Sequence, residues 1–194
     1  MSTATFHRLT ADEYLAIERA AVSKSEFFDG EMTPMSGGSE PHAFISGNVF
    51  LALKLQLKRP GLRVYGSDMR IRTSEGLYTY PDVCVLAEER QFDGDRHDVL
   101  TNPALIVEVL SPSTEAYDRG LKFRRYQQID SLRTYILVSQ HHPCVEVFSK
   151  QSDGRWISTL VRSGLIEIPF PACQIDIIEV YADVDFRLAE QPTE

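Results

Sequence analysis

The order of apolar segments predicts an α/β fold in which a mixed sheet packs between helices. Three observations carry this. A helical stripe of Ile45, Val49, Ala52 and Leu53 precedes a set of short strand-like segments. One of these, Ala104-Leu105-Ile106-Val107, is apolar without a break, as a central strand covered on both faces should be. A second helical segment then leads into another short apolar run, Arg133–Ser139. Helix, three strands, helix, strand makes an αβββαβ core, preceded by a helix and hairpin and followed by a further hairpin.

Each element has a local reason. Thr10–Ala20 reads as a helix, because Thr10 and Glu13 have capping-box spacing and Tyr14, Leu15 and Ile17 form an apolar side. Glu26–Met35 reads as a hairpin turning at Asp29-Gly30. Ser36-Gly37-Gly38-Ser39 is a loop. Pro41 suits the first helical position and Pro60-Gly61 is a stop. Between them Leu51, Leu53, Leu55 and Leu57 also alternate as a strand would, but the length of the segment decides for a helix. Strands are expected over Arg63–Arg72, Tyr78–Leu86 and Ala104–Leu110, the first two joined through Ser74-Glu75-Gly76. Ser111-Pro112-Ser113-Thr114 ends the third strand and opens a helix to about Gln128, with Ser111 and Ser113 as expected caps. The last hairpin joins Cys144–Ser149 to Trp156–Val161, and the polar tail Ala189–Glu194 is expected to fray.

A length of 194 residues suits one domain with a proper core. It divides into an N-terminal helix and hairpin (1–40), a core (41–140) and C-terminal strands (141–188). Hydrophobic residues are 43% and charged residues 25%, an ordinary globular composition. The first twenty residues carry charges and no apolar run, and no stretch has the length of a membrane span. A cytoplasmic location follows as the expectation. Cys84, Cys144 and Cys173 form no Cys-x-x-Cys pair and read as small hydrophobes in a reducing compartment. The net charge of −8 argues against non-specific coating of nucleic acid. It leaves open one local basic groove, or a metal that inverts the local field.

Two acids sit where acids are costly. Asp82 follows Pro81 and precedes Val83-Cys84-Val85-Leu86; Glu108 lies within Leu105–Leu110. On adjacent strands, about 4 Å apart at an effective dielectric near 20, they would repel by roughly 4 kcal/mol. A shared proton, a basic side chain or a divalent cation would offset that. Asp118, Lys122 and Tyr126 recur at i, i+4 on the next helix and share one face, which can return over the acids. A lysine there can orient or activate a water and stabilise charge on phosphate. An exposed Asp118–Lys122 ion pair explains the same spacing. Arg119, Arg124 and Arg125 are candidate phosphate contacts or simply a solvated face. Asp68 is a further support candidate. Gly37-Gly38 lacks the Lys and Ser/Thr of a phosphate loop, and His141-His142-Pro143-Cys144 fits a hairpin turn better than a zinc site.

Several of these stretches resemble one family. Phe27-Phe28-Asp29-Gly30-Glu31 with Met35-Ser36 and His42, Tyr80-Pro81-Asp82-Val83-Cys84-Val85, and above all Glu108-Val109-Leu110-Ser111-Pro112-Ser113-Thr114 with Asp118, Lys122 and Tyr126 are similar to the Uma-two family. Tyr135-Ile136-Leu137-Val138 and Val145-Glu146-Val147-Phe148 extend the likeness, which spans Thr10 to about Pro171. That family is a branch of the PD-(D/E)XK nuclease superfamily, so the resemblance implies a restriction-endonuclease-like core. It implies Asp82 and Glu108 as ligands of Mg²⁺ or Mn²⁺. The superfamily lysine two residues after the second acid is Leu110 here; in the Uma-two pattern it comes from the following helix, as Lys122. Glu31 and His42 also match family positions and are supporting candidates, with Asp118 and Tyr126. The implied function is metal-dependent endonuclease action on nucleic acid, DNA before RNA. Alternatives are a non-catalytic binding module on a nuclease fold and a hydrolase of small phosphate esters. A homodimer through an exposed hairpin edge at Val145–Phe148 is a further expectation.

Overall fold

The computed structural model describes residues 8–190. Helix α1 (Ala11–Ala20) starts where the capping box requires: the Thr10 hydroxyl accepts from the Glu13 N–H, and the Glu13 carboxylate accepts from the Thr10 N–H. The hairpin β1 (Ser25–Phe28) and β2 (Glu31–Pro34) turns at Asp29 and Gly30, both with positive φ, the conformation that Asp-Gly favours. Helix α2 (Glu40–Gln56) is capped by the Ser39 hydroxyl, with Pro41 in its first turn.

The strands that follow are shorter than expected. Arg63–Arg72 divides into β3 (Arg63–Gly66) and β4 (Arg70–Arg72), and Tyr78–Leu86 divides into β5 (Tyr78–Thr79) and β6 (Val83–Leu86). Pro81 gives the second break a cause, since it has no N–H for the ladder. The first break falls at Ser67-Asp68-Met69, where Lys24 bonds both the Ser67 carbonyl and the Asp68 carboxylate. β3 and β6 pair in one sheet and β4 and β5 in another, so a single long hairpin crosses between two sheets.

After β7 (Val99–Leu100) and β8 (Leu105–Leu110), the expected single helix is wound three ways: α3 (Glu115–Tyr117), a π-helical turn (Asp118–Lys122) and α4 (Phe123–Tyr126). Ser111 and Ser113 do not cap it. Their hydroxyls bond each other, Ser111 also bonds the Thr114 hydroxyl, and Thr114 at the N-cap makes no side-chain cap bond. β9 (Thr134–Ser139), β10 (Val145–Lys150), β11 (Trp156–Val161), β12 (Leu165–Ile168), β13 (Cys173–Asp176), α5 (Ile177–Val180) and a 3₁₀ turn (Phe186–Glu190) complete the order.

A mixed six-stranded sheet runs β11-β10-β9-β8-β6-β3, a five-stranded sheet runs β2-β1-β5-β4-β7, and β12 and β13 form a ribbon. β10 is paired on both sides, so Val145–Phe148 is not an edge; β11 is. Period-2 alternation along β8 sends Leu105, Val107 and Val109 to one face, where Ile45, Val49 and Leu53 of α2 pack. Ile106 and Leu110 go to the other face, with Phe123, Tyr126 and Tyr135. Full burial of each aliphatic or aromatic side chain contributes about 1.5–3 kcal/mol, so both faces are firmly anchored. Glu108 lies between Ile106 and Leu110 and therefore shares the second face.

Cys84 is buried, Cys144 and Cys173 are half-buried, and all three are free thiols. The turn at His141–Cys144 is tied down by Tyr181, whose hydroxyl donates to the Ser139 and Cys144 carbonyls and accepts from the Cys144 N–H. Ala189 is buried rather than frayed, and residues 191–194 of the expected tail lie outside the described residues. Among the described residues no helix is long and apolar enough to cross a membrane.

Candidate metal and active centre

The register of the central strands brings the two acids together. Val83 faces Val107 and Cys84 faces Ile106 across the β6–β8 pair. One step further along that antiparallel register sets Asp82 beside Glu108. The Asp82 Oδ2 accepts the Val109 N–H at 2.7 Å, a charge-assisted bond that fixes this carboxylate against the next strand.

Glu108 is 4% exposed. Its Oε1 accepts from the Tyr126 hydroxyl at 2.6 Å and lies 3.0 Å from the Lys122 Nζ. The π-helical turn buries Asp118 and Lys122 together and brings Lys122 to Glu108 of β8. Lys122 also lies 3.1 Å from Glu26 Oε1 and 3.4 Å from Asp118 Oδ1. The exposed ion pair that spacing alone permits is thus replaced by a buried ammonium among three carboxylates.

Glu26 is the residue that sequence reasoning missed. On β1, Ser25 and Phe27 are buried on one face, and Glu26 turns the other way to meet Lys122 and the Thr79 hydroxyl. A charged residue alternating with buried ones was the available signal, but a solvent-facing strand position reads identically.

His42 stands beside the acids, its Nε2 3.4 Å from Asp82 Oδ2. The loop before α2 holds it there. The Ser39 hydroxyl accepts the His42 N–H and donates to Gln140 Oε1. Gly38 packs so closely that a Cβ at that position would lie 2.7 Å from the ring Nδ1. Burial disfavours the charged imidazole, but the Asp82 bond and the charges of Asp82 and Glu108 outweigh it and raise the His42 pKa above its ordinary value.

Other candidates lie apart. Glu31 sits at the rim with its side chain 77% exposed and 3.9 Å from Arg8. Arg119 is committed to Glu115 and Glu146 on the outer surface. Arg124 is exposed and does not line the cavity, and Asp68 is exposed beside Lys24. Arg125 does line it: its guanidinium stacks 3.5 Å from the Phe28 ring centroid and donates to the Tyr117 hydroxyl.

Glu26, His42, Asp82, Glu108, Asp118, Lys122 and Arg125 line one cavity of about 680 Å³. Burial pushes the Glu108 carboxyl up, although Lys122 pulls it down, and burial also raises Asp118. Burial works against the charge of Lys122, but Glu108 and its neighbours hold that pKa well above the ordinary lysine value. The causes differ: burial is the main force on Glu108, and the neighbouring negative charges are what raise Lys122 against burial. Glu26, Glu108 and Asp118 surround a single ammonium, and Asp118 Oδ1 is buried without a hydrogen-bond partner.

Oxygen-only donors and excess negative charge fit a hard divalent cation. Among the described residues no group of three or more His, Cys, Asp or Glu side chains is placed to hold a metal ion. Mg²⁺ does not need one, because it typically takes one or two carboxylates and completes its shell with water and phosphate oxygens. Asp82 and Glu108 match that requirement.

Comparison with known proteins agrees with this architecture. The model of the Uma2 family, described as "Putative restriction endonuclease", matches residues 11–177. "Uncharacterized protein sll1609" of Synechocystis sp. is 39% identical over 176 residues, covering 90% of this chain and 99% of the relative. "Uncharacterized protein slr1290" of the same organism is 39% identical over 156 residues, covering 80% and 81%. A crystal structure of a putative nuclease belonging to DUF820, from Anabaena variabilis, superposes with a TM-score of 0.70 at 17% identity, covering 90% of this chain and 98% of that one. At that identity the likeness concerns the fold.

Proposed function

This chain belongs to the Uma2 family of restriction-endonuclease-like proteins, and from that premise we propose that it is a divalent-metal-dependent endonuclease that hydrolyses phosphodiester bonds of nucleic acid, DNA first. The single observation that carries the reading is the convergence of Asp82, Glu108 and Lys122, from two strands and a π-helical turn, on one cavity.

Asp82 and Glu108 would hold Mg²⁺ or Mn²⁺. When bound, such an ion lowers the pKa of a coordinated water and offsets charge on phosphate. The protein's own groups do the rest. The Val109 N–H and His42 Nε2 orient Asp82. Tyr126 donates to Glu108 and leaves its second oxygen for the ion. Lys122 keeps its proton among the carboxylates, so it acts through charge and hydrogen bonding rather than as a base. This narrows the role expected from sequence, where the lysine was also a candidate to deprotonate water. In the hydrolysis one water is consumed: its oxygen bonds phosphorus, one ester P–O bond breaks, and the leaving oxygen takes a proton.

The test is incubation of purified protein with plasmid and single-stranded DNA in Mn²⁺, beside Asp82→Ala. Cleavage of at least one of the two substrates by the wild type, slowed at least about a hundredfold by the substitution, is expected. Equal cleavage by both proteins removes these residues from the mechanism. Activity on small phosphate esters alone points to the alternative hydrolase.

A homodimer is part of the same proposal, with a different surface from the hairpin edge. α2 carries an exposed stripe of Phe44 (43%), Gly47, Leu51 (55%) and Leu55 (65%). Phe44 and Leu51 lie on either side of Gly47, as do Glu40 and Lys54, all exposed or at the solvent face. Two copies of α2 crossing antiparallel at Gly47 would set Phe44 on Leu51 and Glu40 on Lys54, the self-complementarity that a two-fold interface requires.

A further inference from the structure

A duplex and this cavity do not fit one another. The groups that would act on phosphate are sealed: Glu108, Asp118 and Lys122 are each no more than 4% exposed. They lie within walls built from hairpin β1–β2, the loop before α2 and the Ser111–Thr114 turn. A volume of about 680 Å³ falls in the roughly 300–1,000 Å³ range of cavities that enclose one small ligand. Duplex DNA presents its phosphates on a wide, stiff rod whose bases are stacked inside. Such a phosphate can approach a surface, but it cannot descend into a walled cavity unless its nucleotide leaves the stack.

Charge points the same way. Five carboxylates and two permanently cationic side chains line the cavity. Duplex binding draws on many simultaneous Lys and Arg contacts to phosphate. Here Arg119 is already paired with two glutamates, and Arg125 is the one arginine on the lining. Arg125 is also built in a way that suits a single unpaired nucleotide. Its guanidinium carbon lies over the Phe28 ring, 3.5 Å from the centroid, and the group is steadied by the Tyr117 hydroxyl. Aromatic and guanidinium planes of this kind stack splayed bases, whatever the base, and the guanidinium edge remains available to a phosphate.

Resting on the nuclease reading above, we propose that the substrate is an unpaired nucleic-acid strand, one nucleotide of which enters the cavity against the Phe28–Arg125 stack, and that intact duplex is excluded. Strand selectivity then comes from the shape of the cavity and from stacking, and the sequence of the strand matters little.

Fluorescein-labelled short oligonucleotides test this, one unpaired and one the same sequence fully paired. Binding to the wild-type chain in Mn²⁺ is read by fluorescence anisotropy and cutting by denaturing gel on the same samples. The unpaired strand is expected to bind at least about tenfold tighter, and Phe28→Ala to lose about tenfold of that affinity. Arg125→Gln, which leaves the core untouched, is expected to do the same if Phe28→Ala proves unstable. Duplex bound as tightly as single strand, binding of neither, or unchanged affinity in both variants overturns the proposal. The two readings separate cleanly. Equal cutting of both substrates sinks strand selectivity and leaves the nuclease. Selective binding without any cutting sinks the nuclease and leaves strand selectivity.

Discussion

Lys122 Nζ lies 3.0 Å from Glu108 Oε1, and both side chains are almost fully withdrawn from solvent. Breaking such a pair from one side strands the other charge. Lys122→Ala is expected to destabilise the fold by about 3 kcal/mol, measured by urea denaturation. Adding Glu108→Gln should recover at least about 1 kcal/mol of that loss. Two substitutions that simply add would show that the ion pair does not exist in solution.

Asp82→Asn separates chemistry from folding. The amide oxygen can still accept the Val109 N–H, so the stability change should stay within about 1 kcal/mol. The charge is lost, and Mn²⁺ affinity measured by calorimetry should fall at least about tenfold. Unaltered Mn²⁺ binding would move the metal away from Asp82.

Gly38→Ala tests the seat of His42. The added Cβ would meet the ring at 2.7 Å from Nδ1 and 2.9 Å from Cγ, so the imidazole must move away. Gly38 is exposed, and the melting temperature should hardly change. DNA cleavage should fall toward that of His42→Ala. Full activity in Gly38→Ala would mean that His42 does not need this position.

Asp98 contributes to acid stability outside the cavity. Arg19 bonds both oxygens of Asp98 and holds its carboxyl below the usual range, against a smaller opposing effect of burial. A depressed pKa stabilises the fold above the unfolded value and loses that effect as pH falls through the folded value. Asp98→Asn should therefore melt earlier than wild type at neutral pH. The gap should close below about pH 4, where an unfolded aspartate is protonated. A gap that persists at lower pH would assign the loss to packing instead.

The α2 stripe makes an assembly prediction. Sedimentation equilibrium should show a dimer that Leu51→Glu converts to monomer. Lys54→Glu should weaken it and Glu40→Lys in the same chain should restore it, since the proposed two-fold would set the two side chains together. A wild-type monomer at every concentration would leave the stripe without this partner.

The elements with local causes were readable before any coordinates. Thr10 and Glu13 close their capping box within four residues, and Asp29-Gly30 turns its hairpin without outside help. The cost of an acid in an apolar strand likewise singled out Asp82 and Glu108. Tyr78–Leu86 was expected as one strand although Pro81, with no N–H for the ladder, stands within it, and neither the division nor the hairpin shared by two sheets was read.

Lys122 and Glu26 show where local reading ends. The i, i+4 spacing of Asp118 and Lys122 is the same for an exposed pair and a buried one, and the resemblance to a family, not the spacing, favoured the lysine. Glu26 looked like any solvent-facing strand residue until β1 paired with β5 and turned it toward the cavity.

By itself the sequence determined which segments would be helix or strand and which two acids could not stay unpartnered, because propensity, capping and desolvation act within a few residues. Only the tertiary structure decided which cation meets those acids, that a third and fourth carboxylate join them, and that the whole group lies at the bottom of a walled cavity. Those outcomes depend on strand register and on the packing of elements distant in the chain, and short-range physics does not encode either.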